Sequence, residues 1–162
     1  MKGIAVILQI ANKAEIAIID DDKYEEFCAQ TWTAFKGANN SMYVRNLNGE
    51  YLHRLIMNCP VNMCVDHIDG NGLNNVASNL RVCTHGENMT NRKVGTNNKS
   101  GYRGVWFDRR ASKETPWRAS IVKAKKRFDL GRFRTPEEAF AAYCAAAKQK
   151  FGEFFQESRA YR

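Results

Sequence analysis

Between residues 65 and 92 the chain reads VDHIDGNGLNNVASNLRVCTHGENMTNR, which gathers Asp66, His67, Asn79, His85, Asn88 and Asn91 into one short stretch. An aspartate and an asparagine supply hard oxygen donors of the kind Mg²⁺ takes, with coordination positions left for water and phosphate. A histidine beside such a site, with an ordinary pKa of about 6.5, can accept a proton from water at neutral pH. Those are the parts of a phosphodiesterase. The same residue types also build the turns of any long loop, and His67 can equally serve as a hydrogen-bonded loop residue. Composition leaves both readings open.

The elements around the stretch say how it would be positioned. Met63–Ile68 has the apolar character of a strand that ends in Asp-His, Asp69-Gly70 and Asn71-Gly72 are turn pairs, and Leu80–Cys83 is a second short strand. Thr84 followed by Glu87 is a capping box that opens a helix running to about Lys93. A hairpin followed by a helix can bring the end of the first strand to face the helix, so Asp66 and His67 are expected near Asn88. Upstream, the apolar runs IAVILQI, EIAIID, MYVRNL and YLHRLIM alternate with turn-formers, which predicts short strands around one helical piece near Asp22–Trp32.

Charge divides the chain. Residues 1–94 hold 9 Lys and Arg against 10 Asp and Glu, whereas residues 95–162 hold 16 against 7. All of the net +8 therefore comes from the C-terminal part, and a polyanion is the partner such a surface attracts. The switch coincides with GTNNKSG, residues 95–101, a small polar stretch with no apolar side chain that reads as a linker. Five scattered cysteines and the lack of a signal peptide imply reduced thiols and an intracellular, cytoplasmic setting, and MKGIAVILQIA is too short to span a membrane. Cys59, Cys64 and Cys83 with His85 are spaced poorly for a zinc site, and His53, inside an apolar run, reads as a packed, hydrogen-bonded histidine.

The stretch VDHIDGNGLNNVASNLRVCTHGENMTNR, led in by LHRLIMN at 52–58, resembles the HNH endonuclease motif in the form found in phage and intron-associated homing endonucleases. DH, SNLR and EN follow one another in the family's order and spacing over about 40 residues. The resemblance implies a ββα-metal fold, His67 as the general base, Asp66 and Asn88 as ligands of a single divalent metal (Mg²⁺, with Mn²⁺ the alternative), and Asn79 as a brace for the loop that orients the histidine. It also implies cleavage to a 5′-phosphate and a 3′-hydroxyl. Arg81 and His85 stand as possible phosphate contacts, each equally at home on an ordinary surface.

Beyond the linker, YRGVWF, PWRASIVKA and KRFDLGRFR are three β-rich runs, the last two separated by little more than Lys125. Trp117, Ala119 and Ile121 alternate with Arg118, Ser120 and Val122, which gives one core face and one free face. TPEEAFAAYCAAAKQKFG carries Thr135 as N-cap, Pro136 at the first helical position, Glu138 completing a capping box and Gly152 as terminator. A three-stranded antiparallel sheet covered on one face by a helix follows. YRGV, LG-x-F-x-T-x-EEA and AY-x-x-AA, together about 50 residues, resemble the AP2 DNA-binding domain. That resemblance implies a sheet in the major groove, with Arg103, Gly104, Ser120, Arg127 and Arg132 facing DNA. Arg109 and Arg110 in the first hairpin loop are phosphate candidates, and Trp106 stands to pack on sugar or a thymine methyl. Trp106, Asp108 and Val122 stand where plant relatives have base-reading arginines, so their target sequence does not transfer.

The sequence thus predicts an α+β chain in two domains: residues 1–94, a β-rich region plus an HNH nuclease with its motif core at 50–93, and residues 102–155, an AP2-like domain. The expected function is a metal-dependent DNA endonuclease of homing type, bacteriophage-like, acting on double-stranded DNA as a monomer or weak dimer with no membrane partner. The alternative is a non-catalytic DNA-binding regulator with a vestigial nuclease motif.

Overall fold

The computed structural model describes residues 5–9, 16–37, 41–90 and 94–161; Asn91 and Lys93, where the sequence ends its short helix, lie outside these. The chain falls into two compact units, Met1–Thr84 and His85–Arg162. Both mix small antiparallel sheets with a few helices.

In the first unit β1 (Ala5–Gln9) pairs antiparallel with β2 (Ile16–Asp20), a 3₁₀ turn at Asp21–Lys23 leads into the single-turn α1 (Tyr24–Phe27), and β3 (Trp32–Lys36) pairs with β4 (Met42–Asn46). Then α2 (Leu52–Ile56) precedes β5 (Cys64–His67), which pairs with β6 (Leu80–Cys83). The helical piece expected over Asp22–Trp32 stops at Phe27, because the Trp32 indole donates to Phe27 O at 2.9 Å and closes a turn between helix and strand. The run YLHRLIM, expected as a strand, is helical: Leu52, Leu55 and Ile56 fall at i, i+3 and i+4 and pack on Ala17, Ile19, Trp32 and Val44. In five residues the two periodicities are nearly indistinguishable, and burial decides.

The β5–β6 connection is fastened by distant segments. Ile18 of β2 donates to Leu73 O (2.9 Å) and accepts from Asn75 N–H (2.7 Å), and Asp20 accepts from Ala77 N–H at 2.7 Å. From the other side β4 presses so closely that a Cβ on Gly72 would lie 2.0 Å from Met42 O. A glycine is required there for backbone to meet backbone.

The second unit opens with α3 (His85–Thr90), followed by β7 (Val105–Phe107), β8 (Trp117–Lys123), β9 (Lys126–Phe133) and α4 (Pro136–Phe151). The three strands form one antiparallel sheet in the order β7-β8-β9. Ala139, Phe140, Tyr143, Cys144 and Ala147 of α4 pack on Val105, Ala119 and Ile121. The Thr135 side chain accepts from Glu138 N–H at 3.2 Å while Glu138 accepts from Arg134 N–H at 3.0 Å, so the expected capping operates in both directions. Ala124 and Lys125 both take positive φ, 50° and 63°, the twist a two-residue hairpin needs. The strict alternation expected of β8 is interrupted. Ala119 pairs with Gly131 but Ser120 with Asp129, which leaves Leu130 as a bulge residue.

Candidate active site and nucleic-acid interface

Asp66 and His67 are adjacent on β5, so their side chains leave opposite faces of the hairpin. Both are 5% exposed. Opposite Asp66 on β6 stands Arg81, whose Nε (3.0 Å) and Nη2 (2.7 Å) donate to Asp66 Oδ2. Arg81, a phosphate candidate by sequence, thus commits two of its donors to this carboxylate.

On the other face, His67 Nε2 lies 3.2 Å from Oδ1 of Asn75, a residue with no exposed surface. The Asn75 amide is oriented by its Nδ2, which donates to Gly72 O at 3.4 Å, and its oxygen therefore faces the imidazole. An amide oxygen only accepts, so this contact is a hydrogen bond when His67 carries a proton on Nε2. Nothing in the sequence singled out Asn75; a second asparagine in a turn-rich stretch carries no signal beyond its burial.

Asn79 ties the loop together. Its Nδ2 donates to Asp69 Oδ1 (3.0 Å) and Asn74 O (2.8 Å), and its Oδ1 accepts from Asp69 N–H at 3.0 Å. Asp69 also accepts from Asn71 N–H and from the Asn74 amide. Partial burial opposes ionisation of Asp69, yet these hydrogen bonds, together with the charge of a protonated His67, hold its carboxyl below the usual range. The carboxylate is the hub of the loop.

His53 of α2 is the second imidazole here, its ring centroid 5.0 Å from that of His67 in an edge-to-face arrangement with Tyr43 and Tyr51 alongside. Burial first, then the neighbouring charges of His67 and Arg54, lowers its pKa to about 3, so it is neutral under physiological conditions. Its Nδ1 is buried without a hydrogen-bond partner. The sequence expectation of a packed histidine describes its burial, while its place beside His67 required the fold.

Asn88 and His85 lie on α3, in the second unit; Asn88 is half-buried and His85 exposed. Among the described residues no three His, Cys, Asp or Glu side chains converge to hold a metal ion, and all five cysteines are free.

Of the residues expected to face DNA, Arg109, Arg110, Arg127, Arg132 and Trp106 are exposed. The other three have structural occupations. Arg103 Nη1 donates to Met89 O at 3.2 Å, and Ser120 is 9% exposed with its N–H on Gly104 O at 2.9 Å. Gly104, at φ +70°, has no room for a side chain, since a Cβ would stand 2.4 Å from the Tyr143 ring. Arg118 was placed on the free face by alternation but not singled out. Its guanidinium lies 5.6 Å from the centroid of the Trp106 ring and donates to Asp129, and Asp108 sits 3.7 Å from it and 3.8 Å from Arg132.

Comparison with known proteins agrees with both resemblances. Residues 50–90 match the family of HNH endonucleases, and residues 100–153 match the AP2 domain. An uncharacterised HNH endonuclease of Acanthamoeba polyphaga mimivirus is 32% identical over 149 residues, which are 88% of this chain and 74% of that protein. The chain belongs to the HNH endonuclease family. It is also 32% identical over 96 residues to Protein 3.8 of Escherichia phage T7, covering 59% of this chain and 75% of that one. No solved structure matches it. No described helix is long and apolar enough to cross a membrane.

Proposed function

We propose that this protein is a divalent-metal-dependent DNA endonuclease of the homing type, in which a ββα-metal nuclease within residues 1–94 is targeted to duplex DNA by the AP2 domain after residues 95–101. The observation that carries the reading is the fixed imidazole of His67. Its Nε2 is held by a fully buried amide, on a loop fastened to β2 and to the Asp69–Asn79 network, and the residue before it in the strand is a buried carboxylate. A loop residue with only a turn to stabilise has no use for that much fixation.

In this mechanism His67 takes the proton of the attacking water at Nδ1 while Asn75 keeps the ring from turning. Asn79 maintains the loop that carries Asn75. Asp66 is already matched to positive charge through Arg81, and its oxygen donor chemistry, with that of Asn88, fits a hard cation. A Mg²⁺ or Mn²⁺ ion held by Asp66 and Asn88 would supply Lewis-acid stabilisation of the phosphate and the leaving oxygen. One such site cuts one strand per encounter. Arg109, Arg110, Arg127 and Arg132, exposed on the basic domain, supply phosphate contacts that hold the duplex.

The test is conversion of supercoiled plasmid carrying a target site in the presence of Mg²⁺, comparing the intact chain with His67→Ala. The variant should lose about 10²–10⁴-fold in rate. Equal cutting by both sinks the assignment of the base, and binding without cutting by the intact chain favours the non-catalytic regulator.

A further inference from the structure

A single row of cross-strand neighbours crosses the free face of the second unit's sheet: Trp106 on β7, Arg118 on β8 and Arg132 on β9. Around it stand two carboxylates, Asp108 at the end of β7 and Asp129 on β9. Asp129 is set by the N–H of Gly131, which donates to its Oδ1 at 3.0 Å, and Asp108 by the N–H of Arg110 at the same distance. Arg118 is gripped from two sides. Asp129 takes a hydrogen bond from its Nη2, Asp108 Oδ2 lies 3.7 Å from its Nη1, and its Cζ lies over the Trp106 ring, 5.6 Å from the centroid.

Two arginines and two aspartates leave this patch with no net charge. It therefore adds nothing to the general attraction for phosphate, which the exposed lysines and arginines elsewhere on the unit supply. Aspartates on a surface that meets DNA are unfavourable unless they serve a purpose, and here both orient the same side chain. A guanidinium has five N–H donors, and Arg118 spends one of them on a hydrogen bond within the described chain. Its Nε–H is buried, and the three remaining terminal N–H donors are held at fixed geometry on the central strand, with part of the ordering entropy already lost before any partner arrives.

We propose that Arg118, buttressed by Asp129 and Asp108 and lying over the Trp106 ring, is the base-reading residue of this sheet and donates from its terminal nitrogens to the O6 and N7 acceptors of a guanine in the major groove. This rests on the reading of the second unit as the DNA-targeting part. Guanine alone offers two acceptors side by side to such a fork, and adenine's exocyclic amine would oppose it. Arg132, more exposed than Arg118, is the phosphate neighbour in the same row.

The test is selection of bound duplexes from a pool with a randomised central segment, using the full chain without divalent cation so that no strand is cut. The intact protein should fix guanine in at least one position. Arg118→Ala and Arg118→Lys should relax that position by about 5- to 150-fold while leaving other preferred positions intact. Asp129→Asn should relax it partially. The dependence of affinity on salt should keep its slope in all three variants. Arg118→Lys retains length and charge, so a folding defect in the alanine variant leaves the comparison standing. An unchanged preference in Arg118→Lys overturns the inference, as does a uniform loss across sequences with a shallower salt slope, the signature of a phosphate contact. Duplex binding by the intact chain with no fixed position overturns the inference and leaves the nuclease reading in place. Failure of the intact chain to bind duplex DNA at all overturns both.

Discussion

Replacing Asn75 by alanine tests whether the fixation of His67 is what the loop is built for. The side chain is wholly buried and makes two hydrogen bonds, accepting from His67 Nε2 and donating to Gly72 O. Depriving the buried imidazole of this acceptor costs about 1–3 kcal/mol, and the longer bond to Gly72 contributes about 0.5–1 kcal/mol more. The vacated volume adds about 1 kcal/mol if the loop, held on both sides by β2 and β4, cannot collapse into it. Stability should fall by about 2–5 kcal/mol, which for a unit of this size lowers its unfolding transition by at least about 10 °C. Circular dichroism on heating measures that drop. At a temperature where both proteins are folded, plasmid nicking should show kcat reduced severalfold and KM for DNA unchanged, since no contact to substrate is removed. Asn75→Asp keeps an oxygen facing Nε2 while losing the donor to Gly72, and should retain more activity than Asn75→Ala. A melting point within about 2 °C of the intact protein, or full nicking activity in the alanine variant, refutes the reasoning.

Two further perturbations follow from the same unit. His53 has its folded pKa lowered to about 3, below the ordinary histidine value, so its unfolded form binds the proton more readily: stability from this group is complete above about pH 6.5 and is lost as pH falls towards 3. The slope is about 1.4 kcal/mol per pH unit inside that window, and His53→Phe should remove it in denaturant titrations at pH 6 and pH 4. A Gly72→Ala chain should be destabilised by about 1–3 kcal/mol or more, because the added methyl meets the backbone oxygen of Met42. Gly95→Ala, which meets nothing within 4 Å, serves as the matched control, and equal melting of the two variants contradicts the packing argument.

Where an element announces itself through local chemistry, the sequence was sufficient. Leu80–Cys83 was read to the residue, and α4 was marked at both ends by Thr135, Pro136, Glu138 and Gly152, all of which act within a few positions of themselves. Failures came where the deciding interaction is remote. The helicity of Leu52–Ile56 depends on a core assembled from β2, β3 and β4, and the burial of Asn75 depends on Ile18, 57 positions earlier. The pairing of Arg118 with Asp129 required the register of β8 on β9 past a bulge that no local pattern signals. Asp66 and His67 stand out in the sequence by residue type, but the partners that occupy them, Arg81 across the hairpin and Asn75 across the loop, belong to the tertiary structure.

The fastening of the β5–β6 loop to β2 bears on how the molecule comes into being. The segment that matches the nuclease family begins at residue 50, yet the backbone bonds that hold Leu73 and Asn75 come from Ile18, and the acceptor for Ala77 comes from Asp20. These are contacts of long sequence separation, which form late because a long intervening chain must first be closed. During synthesis the residues that would cut DNA all emerge after β2 has been made, so the loop can be set only once the earlier strand is there to receive it. A transplanted motif spanning 50–90 alone would keep every residue named for chemistry and lack the strand that fixes their geometry. The setting of the loop that holds His67 is thereby coupled to completion of the first unit's fold.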